Sequence, residues 1–558
     1  MKIHLSISMF FLFCTSVCAN AQEAQQYPHA AVVSAHPEAT HVGVSIMKAG
    51  GNAVDAAVAV QFALAVVYPN AGNIGGGGFL VYRSKEGQIN SLDYRETAPA
   101  AATKDMYLDA KGNAITDKSL FGALASGVPG TVDGMVRLHR KYARLPWKTV
   151  LQPAIELAEK GFPITRQQAD ELNARKLQFL NYNKRSVAFT KDSLWLAGDL
   201  LIQSELARTL KLIRDKGRAG FYNGTLANAI VQSMAHTGGI ISKDDLKNYR
   251  SVWRKPLSGN YKDYRIISMP APSSGGIALL TLLKQAEQYP LSRWGFQKDS
   301  TVQVMVEAER RAYADRASYL GDPDYFKVPQ KALLDTTYMK SRIRDMSFSA
   351  ATPSSAVKAG QLPYESEQTT HYSIVDTEGN AVAATTTLNG SYGSMVVVEG
   401  AGFLLNNEMD DFSVKPGVAN MYGLVGGLAN AIAPGKRMLS SMTPTIVEKG
   451  GKLLMVVGTP GGSTIITSVY QTILNVLAFG MDMQSAVAAP RFHHQWLPDE
   501  VAFEQGAIDE PTKQRLTAKG YRFTARGPIG RVDAILVKPG GILETGADPR
   551  GNDTASGF

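Results

Sequence analysis

The chain has 558 residues, 44% apolar and 19% charged, the proportions of an ordinary globular protein and not of a disordered one. Its formal charge of +9 comes from basic residues scattered along the chain, which argues against nucleic acid as a partner. Both cysteines, Cys14 and Cys18, lie near the N-terminus, in a segment expected to be removed; disulfides, thiol nucleophiles and thiolate metal ligands are then excluded from the mature chain.

Residues 1–21 read as a leader. Lys2 gives a positive start, Ile3 to Val17 is mostly apolar, and Ala19-Asn20-Ala21 fits a small-x-small cleavage site. The apolar stretch is short of the roughly 20 residues that span a bilayer. A lipid anchor on Cys18 is disfavoured by the bulk of Val17 but stays open. The remainder has no repeat and no long polar linker, so it reads as one large domain or two interlocked segments.

Ala39 to Ala49 predicts a helix ended by Gly50-Gly51, and Asn52 with Asp55 opens a second one through Val67. The glycine run 72–78 precedes a pair of strands at Phe79 to Tyr82 and Ile89 to Tyr94, with Arg95 at the end of the second. Amphipathic helices are expected at Trp147 to Lys160, Ser204 to Lys216 and Thr301 to Tyr319, and little chemistry is visible there. From about Ala350 to Gln368 the composition turns to small and polar residues, an exposed, pliable stretch.

That stretch leads into Gln368-Thr369-Thr370-His371. A threonine turned into a new N-terminus supplies nucleophile and base in one residue, which suits a chain without thiols. Hairpins are expected at 372–388 and 444–459, followed by a helix that Ser463 caps and that runs to Gly480, and a strand at Val532 to Val537. Helices packed on antiparallel sheets follow, an α+β chain. Residues 458–464 lack the Gly-Lys pair of a phosphate loop, Ser45-Ile46-Met47-Lys48 has no companion motif, and adjacent His493-His494 are ill spaced to chelate a metal.

The ordered motifs Gly72 to Phe79, Asp93-Tyr94-Arg95-Glu96, Gln368 to Ser373, Leu405 to Phe412, Ser440 to Thr445, Gly458 to Ser463, Pro490 to Trp496 and Asp548-Pro549-Arg550 together resemble γ-glutamyltransferase, also called γ-glutamyltranspeptidase. The resemblance covers essentially the whole mature chain. It implies an N-terminal-nucleophile hydrolase-like four-layer αββα sandwich and self-cleavage before Thr369. A large subunit 22–368 and a small subunit 369–558 would then stay together as an interleaved heterodimer.

It further implies Thr369 as nucleophile, Thr387 as its hydrogen-bonding assistant, and Gly461 and Gly462 as backbone donors to the oxyanion. Arg95, Ser440 and Ser441 would hold the substrate α-carboxylate, and Asn389, Glu408 and Asp411 its ammonium, while Tyr422 would gate a lid loop. Family members carry Gln or Glu at the position of Glu408. Taken without the resemblance, Arg95 reads as a surface ion pair, 406–411 as a polar turn or weak calcium loop, and Thr387 as an ordinary strand residue.

The implied partners are small molecules: glutathione or other γ-glutamyl amides as donors, and amino acids, peptides or water as acceptors. No metal, cofactor or nucleic acid is expected, and no membrane once the leader is gone. The location implied is periplasmic or secreted. A related glutaryl (cephalosporin) acylase of the same fold is the alternative; it has no substrate ammonium to bind, which an acidic Asp411 argues against.

Overall fold

Two seven-stranded sheets face one another across a layer of aliphatic side chains. The first runs, edge to edge, Gln26–Tyr27, Leu543–Ala547, Asp533–Val537, Lys452–Gly458, Thr445–Lys449, Tyr264–Ser268 and Leu257–Tyr261. The second runs Thr554–Gly557, Ala31–Ser34, Thr370–Val375, Ala381–Thr387, Gly77–Arg83, Ile89–Asp93 and Val252–Arg254. All neighbours in both sheets are antiparallel. The computed structural model describes residues 23–357, 370–415 and 428–558.

Each strand alternates its side chains between two faces. Val33, Val81, Val375, Ala383, Ile446, Val456 and Ile535 point into the seam between the sheets and are buried there. On the outer face of the second sheet, Leu80, Tyr372 and Ile374 pack under helices Pro37–Lys48 and Ala53–Val67. On the outer face of the first, Val447 and Val457 pack under helices Gly275–Ala286, Asp299–Tyr319 and Thr464–Leu477. This is the four-layer αββα sandwich.

Both halves of the chain contribute to both sheets: Thr370–Val375 and Ala381–Thr387 lie between Ala31–Ser34 and Gly77–Arg83. Division at residue 368 would therefore leave two pieces held by shared sheets and cores.

Local sequence accounts for most element ends. Asn52 caps its helix through a capping box with Asp55, which satisfies backbone donors that a helix start leaves open. The glycine run permits close backbone approach: a Cβ on Gly76 would lie 2.1 Å from the Thr387 carbonyl oxygen, and one on Gly75 2.1 Å from that of Leu404.

Three expectations need correction. Helix Thr464–Leu477 ends before Gly480, and Ser463 makes no side-chain capping bond; Thr464 Oγ1 instead donates to the Gly461 carbonyl at 2.7 Å. Helix Asp299–Tyr319 is not amphipathic in use, because residues 301–318 are all buried and its charges are paired inside the protein. The stretch after Ala350 is not wholly exposed: Ser354 and Val357 are buried, and Ser354 bonds Asp499 and Trp496. Residues 358–368 lie outside the described residues.

Candidate functional site

Arg95 follows the strand Ile89–Asp93 and is 1% exposed. Its backbone N–H donates to Asp93 Oδ1 at 2.9 Å, fixing the turn out of the sheet. Its guanidinium meets three carboxylates: Glu408 at 2.6 Å, Glu96 at 3.7 Å, and Asp411 in a direct ion pair. Nη2 also donates to the Leu439 carbonyl at 3.1 Å and Nε to that of Met438 at 3.4 Å.

Burial raises the pKa of the Glu96 carboxyl to about 8 against the opposing pull of Arg95. It pushes Glu408 well above the usual carboxylate range for the same reason. Three anions beside one cation are not affordable in so dry a place, and the proton uptake follows from that.

Glu408 and Asp411 share one short turn, and asparagines hold it. Asn406 Oδ1 accepts from the N–H groups of Glu408 and Gly127, and its Nδ2 donates to the carbonyls of Gly75 and Gly127. Asn407 accepts from Asn389 and Gly390. Asn430 Nδ2 donates to the Asp411 carbonyl at 2.6 Å while its Oδ1 accepts from the Leu439 N–H at 3.0 Å. Asn389 has φ +72°, a conformation that asparagine tolerates better than most residues, and its N–H donates to Thr387 Oγ1 at 2.7 Å.

The serine pair continues the same segment. Ser440 is held by Pro272 and by Ser274, whose N–H and Oγ donate to the Ser440 carbonyl at 2.6 and 2.9 Å. Ser441 Oγ lies 3.4 Å from Arg316 Nη2, and Arg316 Nε donates to Ser274 Oγ at 2.9 Å. Arg316 is 2% exposed.

Gly461 and Gly462 have φ of +133° and +55° in the turn between strand Lys452–Gly458 and helix Thr464–Leu477. A Cβ on Gly461 would lie 3.2 Å from the Gly530 Cα, so the turn needs glycine for both torsion and space. Nearby, Gly458 leaves room for the His371 ring, which an added Cβ would approach to 2.2 Å. His371 bonds Thr385 and Ser373, and burial lowers its pKa to about 3, so it stays neutral.

The structure thus gathers Arg95, Glu408, Asp411, Asn389 and Thr387 around one turn, and joins Ser440 and Ser441 to them through Leu439. The glycine turn lies at the end of the strand that faces His371, one residue after Thr370, whose partner is Thr386. Gln368, Thr369 and Tyr422 lie outside the described residues. Sequence reasoning missed Arg316, Glu96 and Asn430. The available signal for Arg316 was a helix too dense in charge on every face to have a single wet side.

The family model for gamma-glutamyltranspeptidase matches residues 39–558. The chain belongs to the γ-glutamyltranspeptidase family. Among its relatives in this family, the Escherichia coli (strain K12) "Glutathione hydrolase proenzyme" is 49% identical over 531 residues, spanning 94% of this chain and 91% of that one. The crystal structure of the Helicobacter pylori gamma-glutamyltranspeptidase shares 44% identity and a TM-score of 0.58, covering 59% of this chain and 94% of that one. The cephalosporin acylase from Bacillus halodurans aligns over 99% of both chains with a TM-score of 0.85 at 25% identity. The γ-glutamyltranspeptidase fold here is accordingly of the N-terminal-nucleophile hydrolase type.

His493 and His494 are both buried: the first bonds Thr467 and Gln495, the second lies 3.4 Å from Asp499. Among the described residues no group of three or more histidine, cysteine or carboxylate side chains is arranged to hold a metal ion.

Proposed function

We propose that this chain is an exported γ-glutamyltransferase with glutathione hydrolase activity, made as a proenzyme that cuts itself between Gln368 and Thr369. Residues 1–21 direct export to the periplasm or beyond and are removed. Residues 22–368 and 369–558 become the large and small subunits of an interleaved heterodimer.

The observation that carries the reading is the buried opposition of Arg95 to Glu408 and Asp411. A γ-glutamyl group ends in an α-carboxylate and an α-ammonium, and this cluster offers charges of both signs. The substrate zwitterion can insert between Arg95 and Asp411, replacing one ion pair with two. Ser440 and Ser441 add hydroxyls for the carboxylate, and Asn389 an acceptor for the ammonium.

Catalysis then runs on Thr369. Its hydroxyl attacks the γ-carbonyl carbon, and its freed α-amine, with a reference pKa of about 7.7 to 8.0, takes the hydroxyl proton. The oxyanion is met by backbone N–H groups at Gly461 and Gly462. The C–N bond breaks, the leaving amine receives the proton, and a γ-glutamyl ester on Thr369 remains. Water or an acceptor amine resolves that ester, and Thr387 steadies the nucleophile throughout. Tyr422 covers the pocket during the cycle.

The test is intact-mass analysis of purified wild type and Thr369→Ala. Wild type should give two fragments, the smaller beginning at Thr369, and the variant one uncut, inactive chain. Full activity from an uncut wild type sinks the mechanism. The acylase alternative is separated by comparing a γ-glutamyl anilide with its glutaryl analogue: preferential cleavage of the glutaryl compound would replace this reading.

A further inference from the structure

Lys436 is 4% exposed, and among the described residues its ammonium is met by carbonyl oxygens and not by a carboxylate. A cation buried in that way is costly to hold. Burial lowers its pKa to about 8, with Asp322 as the opposing attraction. Nζ donates to the Ala429 carbonyl at 2.6 Å and to the Ala431 carbonyl at 3.0 Å, so it grips the chain on both sides of Asn430. It also lies 6.0 Å from the centre of the Phe412 ring, the residue after Asp411.

Asn430 is fully buried and ties together two segments that carry opposite halves of the site. Its Nδ2 holds the Asp411 carbonyl at 2.6 Å, and its Oδ1 holds the Leu439 N–H at 3.0 Å. Leu439 in turn accepts Arg95 Nη2 at 3.1 Å and is followed by Ser440 and Ser441. The Asn430 carbonyl accepts the Ser413 N–H at 3.0 Å. A tie of this kind fixes a distance only if its own backbone cannot shift.

Lys436 supplies that restraint from a pinned base. Its carbonyl accepts the Ala98 N–H at 2.8 Å, its N–H donates to the Ala433 carbonyl at 3.2 Å, and the next N–H, of Arg437, donates to Asp322 at 2.8 Å. A neutral aliphatic side chain of equal length would fill the same space but has no donors for the two carbonyls. Simple loop closure accounts for bonds to carbonyls. It does not account for both bonds flanking the residue that bridges Asp411 to Leu439.

We propose that Lys436 is a positioning residue: its ammonium holds the backbone around Asn430, and through Asn430 it sets the separation between the Asp411 carboxylate and the Ser440 and Ser441 hydroxyls. Its effect on substrate rests on the γ-glutamyl reading of those groups given above. A γ-glutamyl α-carbon bears its ammonium and its carboxylate on one atom, so the groups that receive them need a fixed spacing, and slack of about 1 Å weakens one contact or the other.

The test compares the mature wild-type enzyme with Lys436→Met, which keeps the side-chain length and removes the donors, and with Lys436→Arg, which keeps charge and donors. Hydrogen exchange reads the clasp without reference to activity: the Leu439 and Ser413 amides should exchange about tenfold faster in Lys436→Met, while those of strand Lys452–Gly458 stay as in wild type. Kinetics read the consequence: KM for a γ-glutamyl anilide should rise about tenfold with kcat within about twofold, and Lys436→Arg should recover part of both effects. Adding Lys436→Met to Asn430→Ala should worsen KM little beyond Asn430→Ala alone, because residues that act through one contact are not additive. Unchanged exchange at Leu439 and Ser413, a loss in kcat with KM unmoved, or full additivity with Asn430→Ala overturns the proposal. Lys436→Gln, shorter and uncharged, repeats the comparison if Lys436→Met does not fold, and a Leu439 amide that exchanges in wild type as fast as an open loop overturns the proposal without any variant. A wild type that cleaves no γ-glutamyl anilide removes the γ-glutamyl reading instead, and the exchange result still decides the clasp.

Discussion

Arg95 and Asp411 are direct ion-pair partners, 316 residues apart in sequence, with side-chain exposures of 1% and 5%. A buried pair is weak support for stability, because desolvation cancels much of its attraction, but removing one partner strands the other. Two charges held at that cost serve best as a template for a ligand bearing the opposite pair.

Asp411→Asn should therefore damage recognition of the donor more than the fold. The expected outcome is a fall in kcat/KM for a γ-glutamyl anilide of about a hundredfold, the scale of a charge-assisted bond worth about 1.5–3 kcal/mol. A glutaryl anilide, which lacks the ammonium, should lose far less. Steady-state kinetics on the two anilides check this, and equal losses would remove Asp411 from ammonium recognition.

Glu96 gives a pH prediction of definite sign. Its folded pKa of about 8 lies above its ordinary 4.5, so the folded state binds a proton that the unfolded state has released. Its contribution is present in full below about pH 4.5 and is lost as pH rises toward about 8. Glu96 faces Arg95 and the carboxylates of Glu408, Asp411 and Asp93. Glu96→Gln should flatten the decline of melting temperature across that window. A decline as steep as in wild type would assign it to other groups.

The sandwich was legible because its signals are local. Asn52 with Asp55 marks a helix start, the glycines at 50–51 a helix end, and the hairpins around 377–380 and 449–452 are bounded by turn residues. The site was legible only through ordered motifs, since an arginine after a strand and a polar turn three hundred residues later have no sequence-local reason to meet. Helix Asp299–Tyr319 misled for a related reason. Charge is ordinarily a sign of solvent, and here Arg310 and Arg311 reach Asp499 and Asp345, partners far along the chain, while Glu307 pairs with Arg311 one turn away inside the protein.

Arg316 is the site residue that this burial concealed. Its Nε donates to Ser274 and its Nη2 approaches Ser441 Oγ, an arrangement that, under the proposed function, would set that hydroxyl for the substrate carboxylate. Arg316→Met should raise KM for a γ-glutamyl donor about tenfold or more while changing kcat less, and Arg316→Lys should recover part of the loss. A γ-aminobutyryl anilide, which has no α-carboxylate, should show no such rise. A purely structural role predicts equal losses on both substrates.

Gly76→Ala should block folding where Gly50→Ala does not. At Gly76 the new Cβ would meet a backbone carbonyl of Thr387 at 2.1 Å, beside Asn73 at 2.8 Å, and neither can retreat without tearing the strand register from Gly77 to Arg83. Gly50 has φ +92° and nothing within 4 Å of an added Cβ, so its only cost is the torsion, about 1–2 kcal/mol. Thermal unfolding and the ratio of cleaved to uncut chain after purification distinguish the two. Gly76→Ala is expected as insoluble or uncut protein, because Thr387 sits at the end of that register and, under the proposed function, would have to be in place to assist Thr369. Soluble, fully cleaved Gly76→Ala with wild-type activity would show that the glycine run is spacing alone and that its contact with Thr387 does not position the site.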